Sequence, residues 1–411
     1  MVRLLVLMLF AGAAQASPLT FAEATRAALE RDPMLQRLEA RAAALADDAI
    51  AEGALPDPEL MVGIGELPVD GFDVVSDEMR MYEVGIMQRF PPRGIRRSAS
   101  RRGERLADAE LLLAEARRLE LVHAVARDWL DLLYLDAALE VVRETRARFE
   151  EITDTVESRY AQGVGRRDDV IQVGIELMRV DEQESRLRRQ VGSARAALAL
   201  RIGPELAARA LESGHPDFAE PGDPISLRSR LAEHPRARAF AARTEAGRLG
   251  EAAERARYRP QFGMSVGYMR RTGLRAGMEM PDAVSARVTV SVPLFTANRQ
   301  DRRLAAAQAR TWATDAERQS ELYELEYQLE RALSDHAELK AQRELYEQRL
   351  LPAAAEFTQT ALNAYRAGSE DLLVLVRAQV AEYDVRLQYH EVILQLLRVR
   401  AELGYLAGEN P

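Results

Sequence analysis

Residues 96–160 and 298–365 contain, beyond their opening turns, no glycine and a single proline, Pro352. Each stretch therefore reads as one helix of roughly 65 residues, on the order of 100 Å long at about 1.5 Å per residue. A helix of that length does not fit inside a compact globule, so it must lie beside other helices. Leu322, Leu325, Leu329, Ala332, His336 and Leu339 recur at steps of three and four, and Trp129, Leu132, Leu135, Leu139 and Val142 follow the same spacing. Such coiled-coil seams need partner helices along their length. The partners expected are residues 168–202 and 371–406, each entered through a tight turn, at Gly163-Val164-Gly165 and at Gly368-Ser369. Pro352 lacks a backbone donor and is expected to kink its helix near Leu350.

The chain also reads twice. At an offset of about 202, Asp32-Pro33 falls on His234-Pro235, Pro58 on Pro260 and Pro91 on Pro293. At about 205, Tyr160-Ala161-Gln162-Gly163 falls on Tyr365-Arg366-Ala367-Gly368, and Arg201-Ile202-Gly203 on Leu406-Ala407-Gly408. One duplicated unit explains these matches. The expected organisation is a leader at 1–16, a first repeat at 17–203, a proline-rich linker at 204–224 and a second repeat at 225–408. Each repeat runs helix, strand, strand, long helix, turn, returning helix. The leading helices are expected at 20–54, with Thr20 and Glu23 as a capping box, and at 225–257.

Strands are expected at 58–67, 80–90, 260–270 and 284–293. Phe262, Met264, Val266 and Tyr268 alternate with Gln261, Gly263, Ser265 and Gly267. Val284, Ala286, Val288, Val290 and Val292 alternate with Ser285, Arg287, Thr289 and Ser291. Strict alternation over about ten residues is the pattern of a transmembrane β-strand, and equally of a half-buried hairpin in a soluble domain. The first repeat is noisier, with Leu60, Val62 and Ile64, then Tyr82, Val84 and Ile86. Four strands cannot close a bacterial barrel, which needs at least about eight, so spanning would require several copies of the chain.

Arg3, the apolar run Leu4 to Ala14 and the small-x-small sequence Ala14-Gln15-Ala16 read as a secretory leader. That run is too short to cross a bilayer as a helix, where about 20 residues are needed, and no later stretch reaches 18 apolar residues in a row. Further membrane contact must come from strands. The mature chain has no cysteine, which excludes disulfides, thiol catalysis and a lipidated amino-terminal cysteine. A net charge of −9, with Lys340 the only lysine, offers no footprint for nucleic acid. His123, His215, His234, His336 and His390 are scattered without ligand spacing, so no metal site is expected from them. Met79, Met81, Met278 and Met280 flank the strand loops; thioethers suit Cu(I), though packing is their ordinary use. No nucleophile elbow, phosphate loop or other enzymatic constellation is present, and no cofactor is expected.

The duplicated order and the paired Tyr-x-x-Gly turns resemble the TolC family of outer-membrane efflux proteins over essentially the whole mature chain. Leu55-Pro56-Asp57-Pro58, Leu67-Pro68-Val69-Asp70 and Gln88-Arg89-Phe90-Pro91-Pro92-Arg93-Gly94 look like its heavy-metal branch, the CzcC and CusC type. The resemblance implies a mainly helical fold with membrane β-structure. Three chains, each giving four strands, would complete one twelve-stranded barrel, continued by a coiled-coil α-barrel. It implies a Gram-negative outer-membrane location with a large periplasmic part, contact with outer-membrane lipid, and no chemistry. The duct would conduct cargo passively from an inner-membrane pump of the resistance-nodulation-division type through a periplasmic adaptor. Heavy-metal cations are the preferred cargo, with drugs, other small molecules or proteins as the alternative.

Carried over by position, the adaptor-docking tips are Tyr160, Gly163, Val164, Gly165, Arg166 and Arg167 in the first repeat. In the second they are Tyr365, Gly368, Ser369, Glu370 and Asp371. Asp168, Asp169 and Asp371 would either supply gate or lumen charge or simply cap the returning helices. Val374 and Arg377 stand where TolC itself has paired acids, so the sequence departs from the family pattern there. Two other readings are a periplasmic adaptor, which would show one hairpin between β-rich domains, and a secreted coiled-coil scaffold, which leaves the strands unexplained.

Overall fold

The computed structural model describes residues 17–65, 80–272, 274–275 and 278–409. The expected leader, the Leu67–Asp70 segment and Met79 lie outside the described residues, as does the side chain of Met278. The chain forms two compact bodies, and each takes segments from both halves of the sequence.

The first body comprises the chain up to Leu35, Ala116–His234 and the chain from Glu324. Helix α1 (Phe21–Arg31) opens with the expected capping box: the Glu23 N–H donates to Thr20 Oγ1 at 3.1 Å, and the Glu23 carboxylate accepts from the Thr20 backbone. The helix expected over 20–54 is two helices, α1 and α2 (Pro33–Gly53). Asp32 is extended, with ψ at 112°, because a following proline disfavours the helical conformation. Its carboxylate then caps α2, accepting from the Leu35 N–H at 2.7 Å and from Arg117 Nη2 at 2.8 Å. The same rule breaks the expected helix at 225–257 into α6 (Pro224–Arg230), a short 3-10 turn and α7 (Pro235–Ala256), with the break at His234.

Helix α3 (Arg93–Ala161) is continuous and gives its later part to this body, where α4 (Arg167–Ile202) returns beside it. A short helix α5 (Pro204–Ala207) follows. In the second half the long stretch is α8 (Gln300–Leu345), a π turn at 346–350 and α9 (Leu351–Arg366), before α10 (Leu372–Leu406) returns. The π turn lies directly ahead of Pro352, whose missing N–H leaves no donor for a regular ladder there.

One core joins four helices: Leu139, Val142, Phe149 and Val156 of α3, Val173 and Val180 of α4, Tyr365 of α9 and Leu375 of α10. Ion pairs set the registers around it. On the α3–α10 side Glu144 meets Arg386 at 2.6 Å, Arg148 meets Glu382 at 2.8 Å, and Asp131 meets Arg398. On the α3–α4 side Arg146 meets Asp181 at 2.9 Å and Asp128 meets Arg201 at 2.6 Å. Numbers rise on α3 as they fall on its partners, the mark of antiparallel helices. A second cluster packs Trp129, Leu198 and Ile202 against Leu19, which forms a parallel bridge with Leu211.

The second body comprises Gln36–Glu115 and Pro235–Tyr323. Helix α2 lies so close to α3 that a Cβ on Gly103 would sit 2.6 Å from Ala49 Cβ, and one on Gly247 of α7 would sit 2.9 Å from Thr311 Oγ1 of α8. Beyond these crossings stands an antiparallel sheet in the order β1 (Glu59–Gly65), β2 (Arg80–Phe90), β3 (Gln261–Thr272), β6 (Ala283–Ser291). The two-residue strands β4 (Leu274–Arg275) and β5 (Met278–Glu279) pair with each other between β3 and β6.

Candidate functional site

Register decides what each face of the sheet presents. Leu60, Ile86, Val266 and Ala286 lie in one row, and Val62, Val84, Tyr268 and Val284 in the next. Gln88, Met264 and Val288, then Phe90, Phe262 and Val290, complete the same face. Among the described residues nothing covers these apolar side chains: Val62 is 74% exposed and Val284 73%. An uncovered apolar face of this extent marks contact with lipid or with another protein. Along β2 its aromatic positions, Tyr82 and Phe90, are eight residues apart, roughly 27 Å at about 3.4 Å per residue. Tilted by about 40°, that span is roughly 21 Å, close to the apolar band of about 25 Å between the aromatic girdles of an outer-membrane barrel. No helix among the described residues is long and apolar enough to cross a membrane.

The opposite face is polar, small or thioether. Its rows are Glu59, Met87, Ser265 and Arg287; then Met61, Gly85, Gly267 and Ser285; then Gly63, Glu83, Met269 and Ala283. Gly65, Met81 and Arg271 follow, and Arg89 pairs with Glu59 at 3.0 Å. The methyl of Met61 lies over Gly85, 3.3 Å from where a Cβ would stand. Both outer strands, β1 and β6, have one edge without a partner among the described residues.

The second region comprises the two helix-to-helix turns. After α3, the Val164 N–H donates to Arg159 O and the Gly163 N–H to Tyr160 O, each at 3.0 Å. After α9, the Ser369 N–H donates to Ala364 O and the Gly368 N–H to Tyr365 O, also each at 3.0 Å. Both are Schellman motifs, and Gly163 and Gly368 adopt the left-handed φ of 74° and 72° that the motif requires. Their surroundings differ. Tyr160 is 47% exposed, whereas Tyr365 is buried in the four-helix core. Arg159 holds it there: the guanidinium lies 5.0 Å from the ring centre, and Nη1 donates to the Tyr365 carbonyl at 3.2 Å. Burial pushes the Tyr365 hydroxyl up, with Arg159 opposing and Asp169 adding to the rise.

Of the three acids singled out, Asp371 occupies the N-cap of α10 but its side chain makes no cap hydrogen bond. Asp168 and Asp169 lie in the first turn of α4, where Arg166 is the N-cap, and Asp168 accepts from Arg166 at 3.2 Å. Side-chain capping therefore does not account for Asp371. Val164, Arg166, Arg167, Gly368, Ser369, Glu370 and Asp371 are exposed. A cleft of about 400 Å³ opens beside Tyr365, lined by Arg148, Glu151, Thr155, Gln359 and Glu382 among others. Sequence reasoning missed this cleft and the ion pair Arg148–Glu382 at its wall. Among the described residues no cluster of three or more His, Cys, Asp or Glu is placed to hold a metal.

This architecture is the TolC-like fold of solved outer-membrane channels. VceC of Vibrio cholerae is 19% identical, over 95% of this chain and 97% of that one, with a TM-score of 0.78. The outer-membrane channel OprN is 20% identical over 95% and 91%, with a TM-score of 0.80, and CusC 16% identical over 95% and 92%, at 0.78. The chain belongs to the outer membrane efflux protein family, whose model matches it twice, over residues 24–204 and 227–409. It is accordingly a transport protein and not an enzyme. No curated protein sequence matches it significantly.

Proposed function

We propose that the chain is the outer-membrane duct of a tripartite exporter, in which three copies close one twelve-stranded barrel. One observation carries this reading: a four-stranded sheet whose apolar face is uncovered and whose two edges are unpartnered among the described residues. In lipid each unpaired backbone group costs several kcal/mol, so such a sheet is viable only when its edges are joined. The even strand number keeps every junction antiparallel around the ring. The first residues would be a cleaved secretory leader, the two halves duplicated repeats, and the helical hairpins would stand in the periplasm. A periplasmic adaptor would dock on the exposed turn atoms, with Tyr365 acting from within by fixing its turn. Heavy-metal cargo is supported by the sequence segments Leu55–Pro58 and Gln88–Gly94. It is supported further by methionine: eight of twelve fall within residues 59–90 and 261–291, and Met61, Met81, Met87 and Met269 share the polar face. Thioethers favour soft cations such as Cu(I) and Ag(I). Fractionation tests the duct itself. A detergent-extracted trimer from the outer membrane is expected, and a monomer in the soluble periplasmic fraction would overturn the proposal.

A further inference from the structure

The junction between copies has a definite register, and the chain contains its template. The contact between β2 and β3 joins the second strand of one half to the first strand of the other, with Gly85 opposite Gly267. The missing contact, β6 of one copy with β1 of the next, is the same kind of junction. The strand-flanking prolines, Pro58 with Pro260 and Pro91 with Pro293, fix the equivalence of the halves, so Gly85 corresponds to Arg287 and Gly267 to Gly65. We infer that Arg287 of one copy pairs opposite the partner subunit's Gly65, and Thr289 opposite the partner subunit's Gly63. Both residues of each pair lie on the polar face, as strand alternation demands.

Barrel geometry decides between the registers that the equivalence of the halves allows. Within one chain Arg287 shares a row with Glu59, six positions from Gly65. A step of six per copy accumulates to a stagger of about 18 residues over three copies. With strands about 4.8 Å apart and about 3.3 Å per residue, that stagger tilts twelve strands by about 45°. Equivalence alone leaves a second choice. The halves differ by two positions in their internal pairing, Glu59 facing Met87 but Gln261 facing Ser291, and this admits a step of eight. Eight would tilt the strands by about 54°, outside the range of about 35–45°, and a flat junction would not tilt them at all.

This inference rests on the trimeric duct proposed above, and oxidative cross-linking separates the two claims. The chain has no cysteine, so introduced thiols report alone. A Cβ at Gly63 meets nothing within 4 Å, and at Gly65 only Met81 at 3.8 Å, so both sites accept cysteine. Thr289→Cys should be combined in turn with Gly63→Cys, Gly65→Cys and Asp57→Cys, which stand opposite it for steps of six, eight and zero. The Gly63 pair is expected to form covalent dimers and trimers at least several-fold more efficiently than the others. A stronger band from Gly65 or Asp57, or no band from any pair in protein that sizes as a trimer, overturns the register. Protein that sizes as a monomer overturns the duct instead.

Discussion

Acid should weaken the helical body through one buried imidazole. His123 lies on α3 with its ring centre 5.5 Å from that of Tyr405, and the His234 ring makes a T-shaped contact with the same tyrosine at 5.2 Å. Burial, reinforced by Arg127 and opposed by a hydrogen bond to the Ala401 backbone, pushes the His123 imidazole down to about 4. The unfolded chain binds this proton near the ordinary value of about 6.5, so between those values the unfolded state holds more protons than the folded one. Stability from this group is therefore full above about pH 6.5 and is lost as pH falls toward about 4. The loss amounts to about 2 kcal/mol between pH 7.5 and 5, and about 3 kcal/mol by pH 4. His123→Phe keeps a ring beside Tyr405 and removes the titration. The assay is denaturant unfolding of the detergent-solubilised protein, followed by helical circular dichroism at several pH values. The variant has lost the Ala401 bond and should be less stable by a constant amount at neutral pH. The gap to the parent should then close by about 2 kcal/mol on going to pH 5. A gap that stays constant across that range would refute the argument.

The remaining predictions concern the turns and the thioethers. Reversing charge with Arg166→Glu and Arg167→Glu alters two exposed side chains at the start of α4. Trimer yield should be unchanged and adaptor cross-linking should fall about tenfold, the effect of about 1.4 kcal/mol of lost binding energy; loss of the trimer would show that these residues are structural. Replacing Met61, Met81, Met87 and Met269 together by leucine conserves volume and removes the soft donors. Silver and copper tolerance of a complemented deletion strain should fall while zinc tolerance and protein level hold; unchanged silver tolerance would remove the support that methionine gives to metal cargo.

The second half's strands were legible because their alternation is strict, with valine on one face and Ser, Thr and Arg on the other. The first half blurred the same signal for a physical reason. Its polar face holds Glu59, Glu83 and Arg89 but fills the positions between them with Met61, Gly63, Gly65, Met81, Gly85 and Met87, and neither thioether nor glycine contrasts with aliphatic neighbours as a charged side chain would. The helix breaks at Asp32 and His234 were written in the sequence as paired prolines, and the rule that a residue before proline avoids the helical region would have found them. The pairing of β2 with β3 was not legible. It joins residues about 180 apart, and no local pattern reports contacts at that separation. Nor was the ladder between α3 and α10 legible, since Arg and Glu are too abundant in this chain for any one pair to stand out.

The family model matches each half of the chain, and the two halves share a scaffold while differing in what they present. Both turns keep the Schellman hydrogen bonds and the left-handed glycine, so the backbone solution is common to them. Their other features have separated. The first turn adds Gly165, whose Cβ would stand 2.8 Å from the Tyr160 nitrogen; the second has exposed Glu370 at the corresponding place. The first turn presents Arg166 and Arg167 to solvent, the second Glu370 and Asp371. Tyr160 faces outward while its counterpart Tyr365 is locked under Arg159. A ring built from three such chains would present each turn three times, one with Arg166 paired to Asp168 beside Arg167, the other with Glu370 and Asp371. A partner reading that ring by charge would therefore meet three equivalent positions of each kind in place of six alike.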